Sequence, residues 1–500
     1  MDAVSRDAGA LGRARWFDLR SLAAEGRRVD LIVYTGTFAW GVLMAFGTAL
    51  EQHFFVLRRY DLGNFTQAIW STAHGRFLHV TEVGGAEVSR LGIHVDPIIV
   101  GLVPLWWIWS SPDLLLVVHV IALALGAFPL YWLGRKHLQS KRDAGFVTAA
   151  YLVCPAVAWN GLGEFDAVAL AVPLLLLCVW FLDEDRLLAF GVAAALAVLC
   201  QEQVGLIVAC LGAVYGWRTK RWIPAALIAV LGVAVTAVDL YLVLPHFSDG
   251  SPYRARFSGL GGSPGGILTT IVTHPVGVIS RVLDPAHILG FGLLMLPVLA
   301  LCFRSALIFA AAPQLAFVLL SARSGDIDPS SQNVLLIVPF VFAGAVYALG
   351  RRNAKSRWRP EHVLVASIGC SLFLGPLNPL LWPSVSMPHV KAEQHAVALV
   401  PASAPVSATN HLGAHLAARR DLYVFPVLGK ATWIVVDETD PYLPDMRWLR
   451  SRRGTELAIR DLPRQPGLMQ YELRQLERSP RWRRVFSRDG VMVFTRRRPV

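Results

Sequence analysis

Charge is scarce in this 500-residue chain: Asp, Glu, Lys and Arg together make up 16% of it, against 54% apolar residues and a mean hydropathy of +0.48. Soluble globular chains carry about a quarter of their residues as charges, so that class is excluded and a membrane protein becomes the default. Cysteine is sparse too. The six, Cys154, Cys178, Cys200, Cys210, Cys302 and Cys370, lie in or at the ends of apolar runs, where a thiol behaves as a small hydrophobe. Neither a disulfide framework nor a metal-type cysteine spacing is present. Internal repeats and low-complexity segments are lacking. The first 29 residues are polar and Arg-containing, and the apolar run after them has no small-residue cleavage site, which excludes a signal peptide and favours a retained helix.

What is present is a series of apolar runs between Leu31 and Leu381, each of about 15 to 22 residues where a bilayer core of roughly 30 Å needs about 20 helical residues. The runs stop after Pro383. Net charge is +12, but much of the basic charge falls in short clusters beside apolar runs: Arg135-Lys136, Lys141-Arg142, Arg218 to Arg221 and Arg351 to Arg359. Such clusters set membrane orientation, and no nucleic-acid partner is needed to explain them.

Keeping the N-terminus and every basic cluster on the cytoplasmic side predicts about eleven crossings, over 31–50, 114–133, 144–159, 167–182, 187–199, 204–217, 223–244, 288–303, 306–320, 334–349 and 363–381. Ile98 to Trp109, short and Trp-laden after a Pro, reads as interfacial or re-entrant. Leu187 to Trp217 is split in two, because a single helix would bury Gln201-Glu202-Gln203 at mid-membrane. Helices of about 13 residues reach only about 20 Å, which leaves that turn in a depression that must be watered or lined by protein. The expected organisation is a cytoplasmic segment 1–29, a multi-pass membrane domain 30–383 with a long first outer loop 51–96, and an extracytoplasmic α/β domain 384–500.

In the last region the pattern becomes that of strands and helices in alternation. Val406 to Thr409, Leu422 to Pro426, Thr432 to Val436, Trp482 to Ser487 and Val491 to Arg496 read as strands, with Asn410 capping one helix and Met469 to Arg478 forming another. Arg488-Asp489-Gly490 marks a hairpin. From Ser384 to Val500 there are 19 Lys and Arg against 11 Asp and Glu. Long domains translocate largely regardless of charge, so this excess does not hold the region inside.

This threading collects ionisable residues on one face: Glu51, Arg58, Arg59, Asp61, His74, Glu82, Glu87, His94 and Asp96 in the first outer loop, then Glu164, Asp166, Glu202, Asp249, Asp326 and Asp328. Ionisable groups at membrane depth tend to line cavities or pathways, and a carboxylate-lined cleft suits acid/base or polar-substrate chemistry. Each also has a structural reading. Asp61 can cap the amphipathic segment Leu62 to Trp70. Glu164 and Asp166 can start the following helix. His94 and Asp96 can form a metal pair, short of the usual ligand count. Glu202 is the hardest to explain as structure, with only glutamines beside it. Asn64-Phe65-Thr66 matches a glycosylation acceptor, but inside an apparent helix near the membrane it reads as coincidence. The Pro- and Gly-rich stretch Ser248 to Gly266 is a candidate lid.

Tyr60-Asp61-Leu62-Gly63-Asn64-Phe65, Gln67, Trp70, His74-Gly75, His94-Val95-Asp96-Pro97, Glu164-Phe165-Asp166, Gln201-Glu202-Gln203, Ser331-Gln332-Asn333 and Val406-Ser407-Ala408-Thr409 together resemble the successive motifs of the membrane protein family called domain of unknown function 2079. Membership implies similarity to the GT-C glycosyltransferase superfamily: a polytopic α-helical membrane module, a long first outer loop and a C-terminal extracytoplasmic domain. It also implies a polyprenyl-phosphate sugar as donor and an acidic first-loop residue as base, which by position is Asp61. Arg58, Arg59 or Arg90 would then offset the charge of the leaving phosphate. His94, Asp96, Glu164, Asp166, Glu202 and Gln332 would contribute to the substrate cleft, and Trp106 to Trp109 would hold the prenyl chain. The expected partners are the lipid-linked donor, membrane lipids and an extracytoplasmic acceptor of unknown identity. No cofactor is certain, and a divalent metal stays open. Two rival readings remain, a transporter or flippase of a lipid-linked substrate and a non-catalytic envelope scaffold.

Overall fold

Where water is absent, backbone N–H and C=O groups must pair within one segment, and an apolar run therefore folds as helix. The computed structural model describes residues 4–248, 253–351, 357–382, 384–440 and 467–497, and up to residue 382 they are overwhelmingly helical. Four helices, Gly26–His53, Pro112–His137, Trp222–Phe247 and Gln332–Gly350, are long and apolar enough to cross a membrane. Two pairs, Lys141–Val153 with Pro155–Leu162 and Pro275–Val282 with Pro285–Val298, qualify as single spans bent by 50° and 53°. Proline accounts for both bends, since its ring clashes with the preceding turn.

Four to six spans are thus clear by length and composition among the described residues. The other expected crossings coincide with the apolar helices Val168–Asp183, Leu187–Val198, Val204–Thr219, Ala306–Leu320 and Pro360–Leu374, each of 10–17 residues. All are shorter than the roughly 20 residues that a perpendicular crossing takes. Pro97–Ile108 is another short apolar helix; it buries Trp106 and leaves Trp107 and Trp109 exposed. The split at Gln201-Glu202-Gln203 is present, between Leu187–Val198 and Val204–Thr219.

The basic clusters converge at one end of the bundle. Lys136 Nζ and His137 Nε2 stand 2.8 and 2.9 Å from Asp183, and Arg218 3.6 Å from it. Lys141 lies 2.6 Å and Arg135 3.7 Å from Asp30, and Arg221 pairs with Asp185. At the other end the first helix meets the loop that follows Leu162, where Thr48 Oγ1 donates to the Gly163 carbonyl at 3.2 Å.

Close helix packing needs small residues where backbones approach. A Cβ at Gly205 would collide with the Gly232 carbonyl and Thr236 Oγ1, and one at Gly232 would lie 2.8 Å from Ala209 N. This contact lets Thr236 Oγ1 donate to the Glu202 carbonyl at 2.8 Å, fixing the Gln-Glu-Gln turn.

A second, smaller core lies under the first outer loop and gathers Leu62, Phe65, Ile69, Trp106 and Phe165. Two short strands, β1 (His79–Thr81) and β2 (Glu87–Ser89), pair antiparallel in the same loop. The C-terminal sheet holds β3 (Val406–Ala408), β4 (Leu422–Val424), β5 (Trp433–Asp437), β6 (Trp482–Arg488) and β7 (Val491–Arg496) in the order β4-β3-β5-β7-β6. β3 runs parallel to β4 and β5, while β7 is antiparallel to β5 and β6. Alternation sorts its side chains. Ala408, Val435, Val491 and Val493 pack with Val390, Ala396 and Leu412, whereas Ile434, Val436, Met492 and Phe494 pack with Met469, Leu473 and Leu476. Asn410 begins a short helix, Asn410–His415, but the cap position is Thr409 and no side chain caps it.

Gly232→Ala is expected to destabilise the protein by about 1–3 kcal/mol through overpacking. Gly277→Ala, where a Cβ meets nothing within 4 Å, serves as the control, and thermal unfolding in detergent compares the two.

Candidate active site

Asp61 sits inside a π-turn, Arg59–Gly63, that runs directly into the helix Asn64–Ala73. Single π-turns of this kind occur often at functional sites. The capping role open to Asp61 is not realised: neither the π-turn nor the helix has a side-chain cap. Glu164 holds the turn instead. Its Oε1 accepts the Arg58 N–H at 3.0 Å and its Oε2 the Leu62 N–H at 3.2 Å, which brackets Asp61 between two fixed backbone points. Glu164 therefore does not start its own helix. Asp166 does, with Oδ1 accepting the Val168 N–H at 2.9 Å while its own N–H donates to His119 Nδ1 at 3.2 Å.

Two further pairs wall the site. Arg90 grips Asp96 in a fork, with Nε 2.9 Å and Nη2 2.7 Å from Oδ2, donates also to Asn64 Oδ1, and lies 3.5 Å above the Phe65 ring. Glu202 rises from the Gln-Glu-Gln turn to take His94 Nδ1 at 3.1 Å and the Val95 N–H at 2.9 Å. His94 and Asp96 thus face different partners and form no metal pair. Asn64, buried and bonded to Arg90, is closed to glycosylation.

Arg59 is turned away. Fully buried, it donates to the Thr81 carbonyl and, at 3.1 Å, to the Leu422 carbonyl, while its backbone N–H meets Asn410 Oδ1 at 3.0 Å. Gln67 Nε2 extends the junction to Thr81 Oγ1 at 3.0 Å and the Arg420 carbonyl at 2.8 Å. This is why Asn410 caps nothing: its carboxamide is spent on the first outer loop. Gln332 begins the 3-10 turn Gln332–Leu336. No hydrogen bond links its side chain to the carboxylates among the described residues.

The stretch expected as a lid supplies two groups. Tyr253 places its ring 6.4 Å from that of His94, and buried Arg256 lies 3.6 Å from Asp326 and 4.9 Å above the Phe317 ring. A Cβ at Gly92 would strike the Phe247 carbonyl, so glycine there lets the chain leading into this stretch close on the loop. Arg256 went unnoticed in the sequence because nothing in a Gly- and Pro-rich segment marks one arginine among several as inward-facing.

Within this frame the half-buried Asp61 carboxylate accepts no hydrogen bond among the described residues. Burial raises its pKa, against the pull of Arg58, Arg90, His94 and Arg256. Glu164 is pushed up to about 8 by burial and by Asp61. Burial and Asp61 also contribute to raising Asp166, to about 6. Burial would lower the pKa of His94, but the Glu202 carboxylate outweighs it and raises it. A divalent ion does not fit here: four basic groups surround Asp61, and the neighbouring carboxylates are engaged by backbone N–H groups, Arg90 or His94. An anionic substrate group fits.

The family model described as a predicted membrane protein (DUF2079) matches residues 53–493. The chain belongs to this family. No curated protein matches the DUF2079 chain. Among solved structures it is similar to ArnT from Cupriavidus metallidurans bound to undecaprenyl phosphate, at 13% identity and a TM-score of 0.50, over 92% of this chain and 97% of that one. The apo state of the same ArnT aligns at 16% identity over 73% and 70% of the two chains, with a TM-score of 0.41, too loose a match to argue from. The first match shows that this DUF2079 protein shares the fold of that ArnT.

Asp96→Ala is expected to cost about 3–5 kcal/mol by leaving Arg90 buried without its counter-charge, whereas Asp61→Asn, which removes no hydrogen bond, should leave the melting temperature near that of the wild type. Thermal unfolding of the purified variants separates the two kinds of carboxylate.

Proposed function

We propose that this protein is a glycosyltransferase that moves a sugar from a polyprenyl-phosphate donor to an extracytoplasmic acceptor. The observation that carries the reading is the Asp61 carboxylate: held in place by its neighbours through Glu164, bonded to none of them, and set in a field of four basic groups. The fold shared with a protein crystallised with undecaprenyl phosphate supports a lipid-linked partner.

In this mechanism Asp61 takes the proton of the acceptor hydroxyl as its oxygen attacks the anomeric carbon. The bond from that carbon to the phosphate oxygen breaks, and polyprenyl phosphate leaves with the electron pair. Arg58, at the exposed mouth, and Arg256, under the lid stretch, offset the phosphate charge. Glu164 is a positioning residue, and the Arg90–Asp96 and His94–Glu202 pairs are the walls. Apolar helices and the Trp106 to Trp109 segment receive the prenyl chain. The irregular turn at Glu202 had favoured a transporter, but its bonds to His94 and Val95 account for it as the anchor of the first outer loop.

The site end of the bundle is read as extracytoplasmic, together with the region 384–500, and the end gathering Asp30, Asp183 and the basic clusters as cytoplasmic, with the N-terminus. A Cys placed at Ser258 or Ser487 should then react with an impermeant thiol reagent in intact cells, and one at Ser140 should not. Labelling at Ser140 would reverse or break the threading.

General-base help is worth about 10² to 10⁴ in rate, and Asp61→Asn should lose turnover by about that factor while the protein stays folded. Cells carrying only the variant should accumulate the polyprenyl-phosphate sugar that the wild type consumes, as read by lipid profiling. Wild-type lipid profiles in the variant strain would sink the reading.

A further inference from the structure

Away from Asp61, a second group of ionisable side chains converges where the helix Met387–Ala398 meets the C-terminal sheet. His389 and Glu393 are four residues apart and share one face of that helix; Asp437 ends β5. One ligand atom from each lies within 4.8 Å of the other two, the only such group of three among the described residues. His389 Nε2 stands 3.3 Å from Asp437 Oδ2 and 4.0 Å from Glu393 Oε1.

The other ring nitrogen decides what Nε2 offers. His389 Nδ1 lies 2.8 Å from the Asp489 carbonyl, a bond that only an N–H can make, with the Asp489 carboxylate 3.4 Å away. A neutral imidazole so bonded turns the Nε2 lone pair toward two carboxylates. That arrangement is repulsive without a cation between them, and a backbone carbonyl on the far nitrogen is how metal-ligating histidines are usually oriented. Asp437 is braced from behind by the Thr439 N–H and hydroxyl, each 2.8 Å from Oδ1. Glu393 is 3% exposed and accepts no hydrogen bond among the described residues. Buried beside Asp437 and Asp440, it is a carboxylate without a donor.

We propose that His389, Glu393 and Asp437 bind a divalent cation of the zinc type. Imidazole nitrogen and carboxylate oxygen are both zinc ligands, and three protein ligands leave a fourth position for water. Two negative charges and a neutral ring balance the ion. A tetrahedral ion with bonds of about 2.0–2.1 Å holds its ligand atoms about 3.4 Å apart, so closing the group on it takes side-chain shifts of about 1 Å. The ion would pin the helix that precedes the sheet to the end of β5 and, through Asp489, to the β6–β7 turn.

The test uses the full chain, purified in detergent with a tag that does not bind metal, loaded with Zn²⁺ alone, desalted and assayed by elemental mass spectrometry. Wild type should retain about one zinc per chain, and Glu393→Gln and Asp437→Asn less than about a tenth of that. A chelator should lower the melting temperature of the wild type and leave that of Glu393→Gln unchanged. Glu393→Gln keeps the size and shape of the side chain, so it keeps the fold while removing one charged ligand. Wild type that retains no zinc after loading, or zinc retained equally by wild type and both variants, would overturn the proposal.

Discussion

The structure depends on one constraint: an ionised side chain set into an apolar body must be matched there, because an unmatched one costs several kcal/mol. Arg90 is matched by Asp96, His94 by Glu202, and Arg59 by two backbone carbonyls. Each match is also a join, linking the first outer loop to itself, to the turn between two short helices, and to the C-terminal sheet. The loop is therefore tied down at several points along its length. Against that background Asp61 stands out as the ionisable group whose neighbours hold its backbone and leave its carboxylate alone.

Anchoring of this kind suits group transfer. Proximity and electrostatic preorganisation act only when the reacting groups are already in place, and the two Glu164 bonds to the Arg58 and Leu62 N–H groups fix both flanks of Asp61. The Asp61 carboxylate is thus supported by others that are themselves bonded. A cleft lined with acids on paper is, in the folded chain, one acid and its scaffolding.

The helical body was legible in the sequence because apolar runs have a length that only a membrane explains, and the C-terminal strands because their alternation is regular. The number of spans was not, since helices such as Leu187–Val198 and Pro360–Leu374 fall between a crossing and a buried short helix, and composition cannot separate the two. For the site, the gathering of Asp61, His94, Glu164, Asp166 and Glu202 followed from counting ionisable residues on one face, while their roles did not. Asp96 pairs with an arginine six residues earlier, a spacing with no meaning in a loop. Arg59 binds carbonyl oxygens, which every residue carries, so no pattern of side chains announces it. His389 and Glu393 show helical spacing that could have been read, but their third partner lies 44 positions beyond Glu393, at Asp437.

The bonds of Arg59 join partners 351 and 363 residues apart in the chain. At a synthesis rate of about 5–20 residues per second, the first outer loop waits roughly 20 to 70 seconds after it leaves the ribosome before Asn410 and Leu422 exist to receive it. During that interval Arg59 has only the Thr81 carbonyl of its own loop, and the turn bearing Asp61 lacks its anchor on Asn410. A chain cut short anywhere upstream of Asn410 therefore lacks the distant acceptors on which Arg59 and the turn bearing Asp61 are seated.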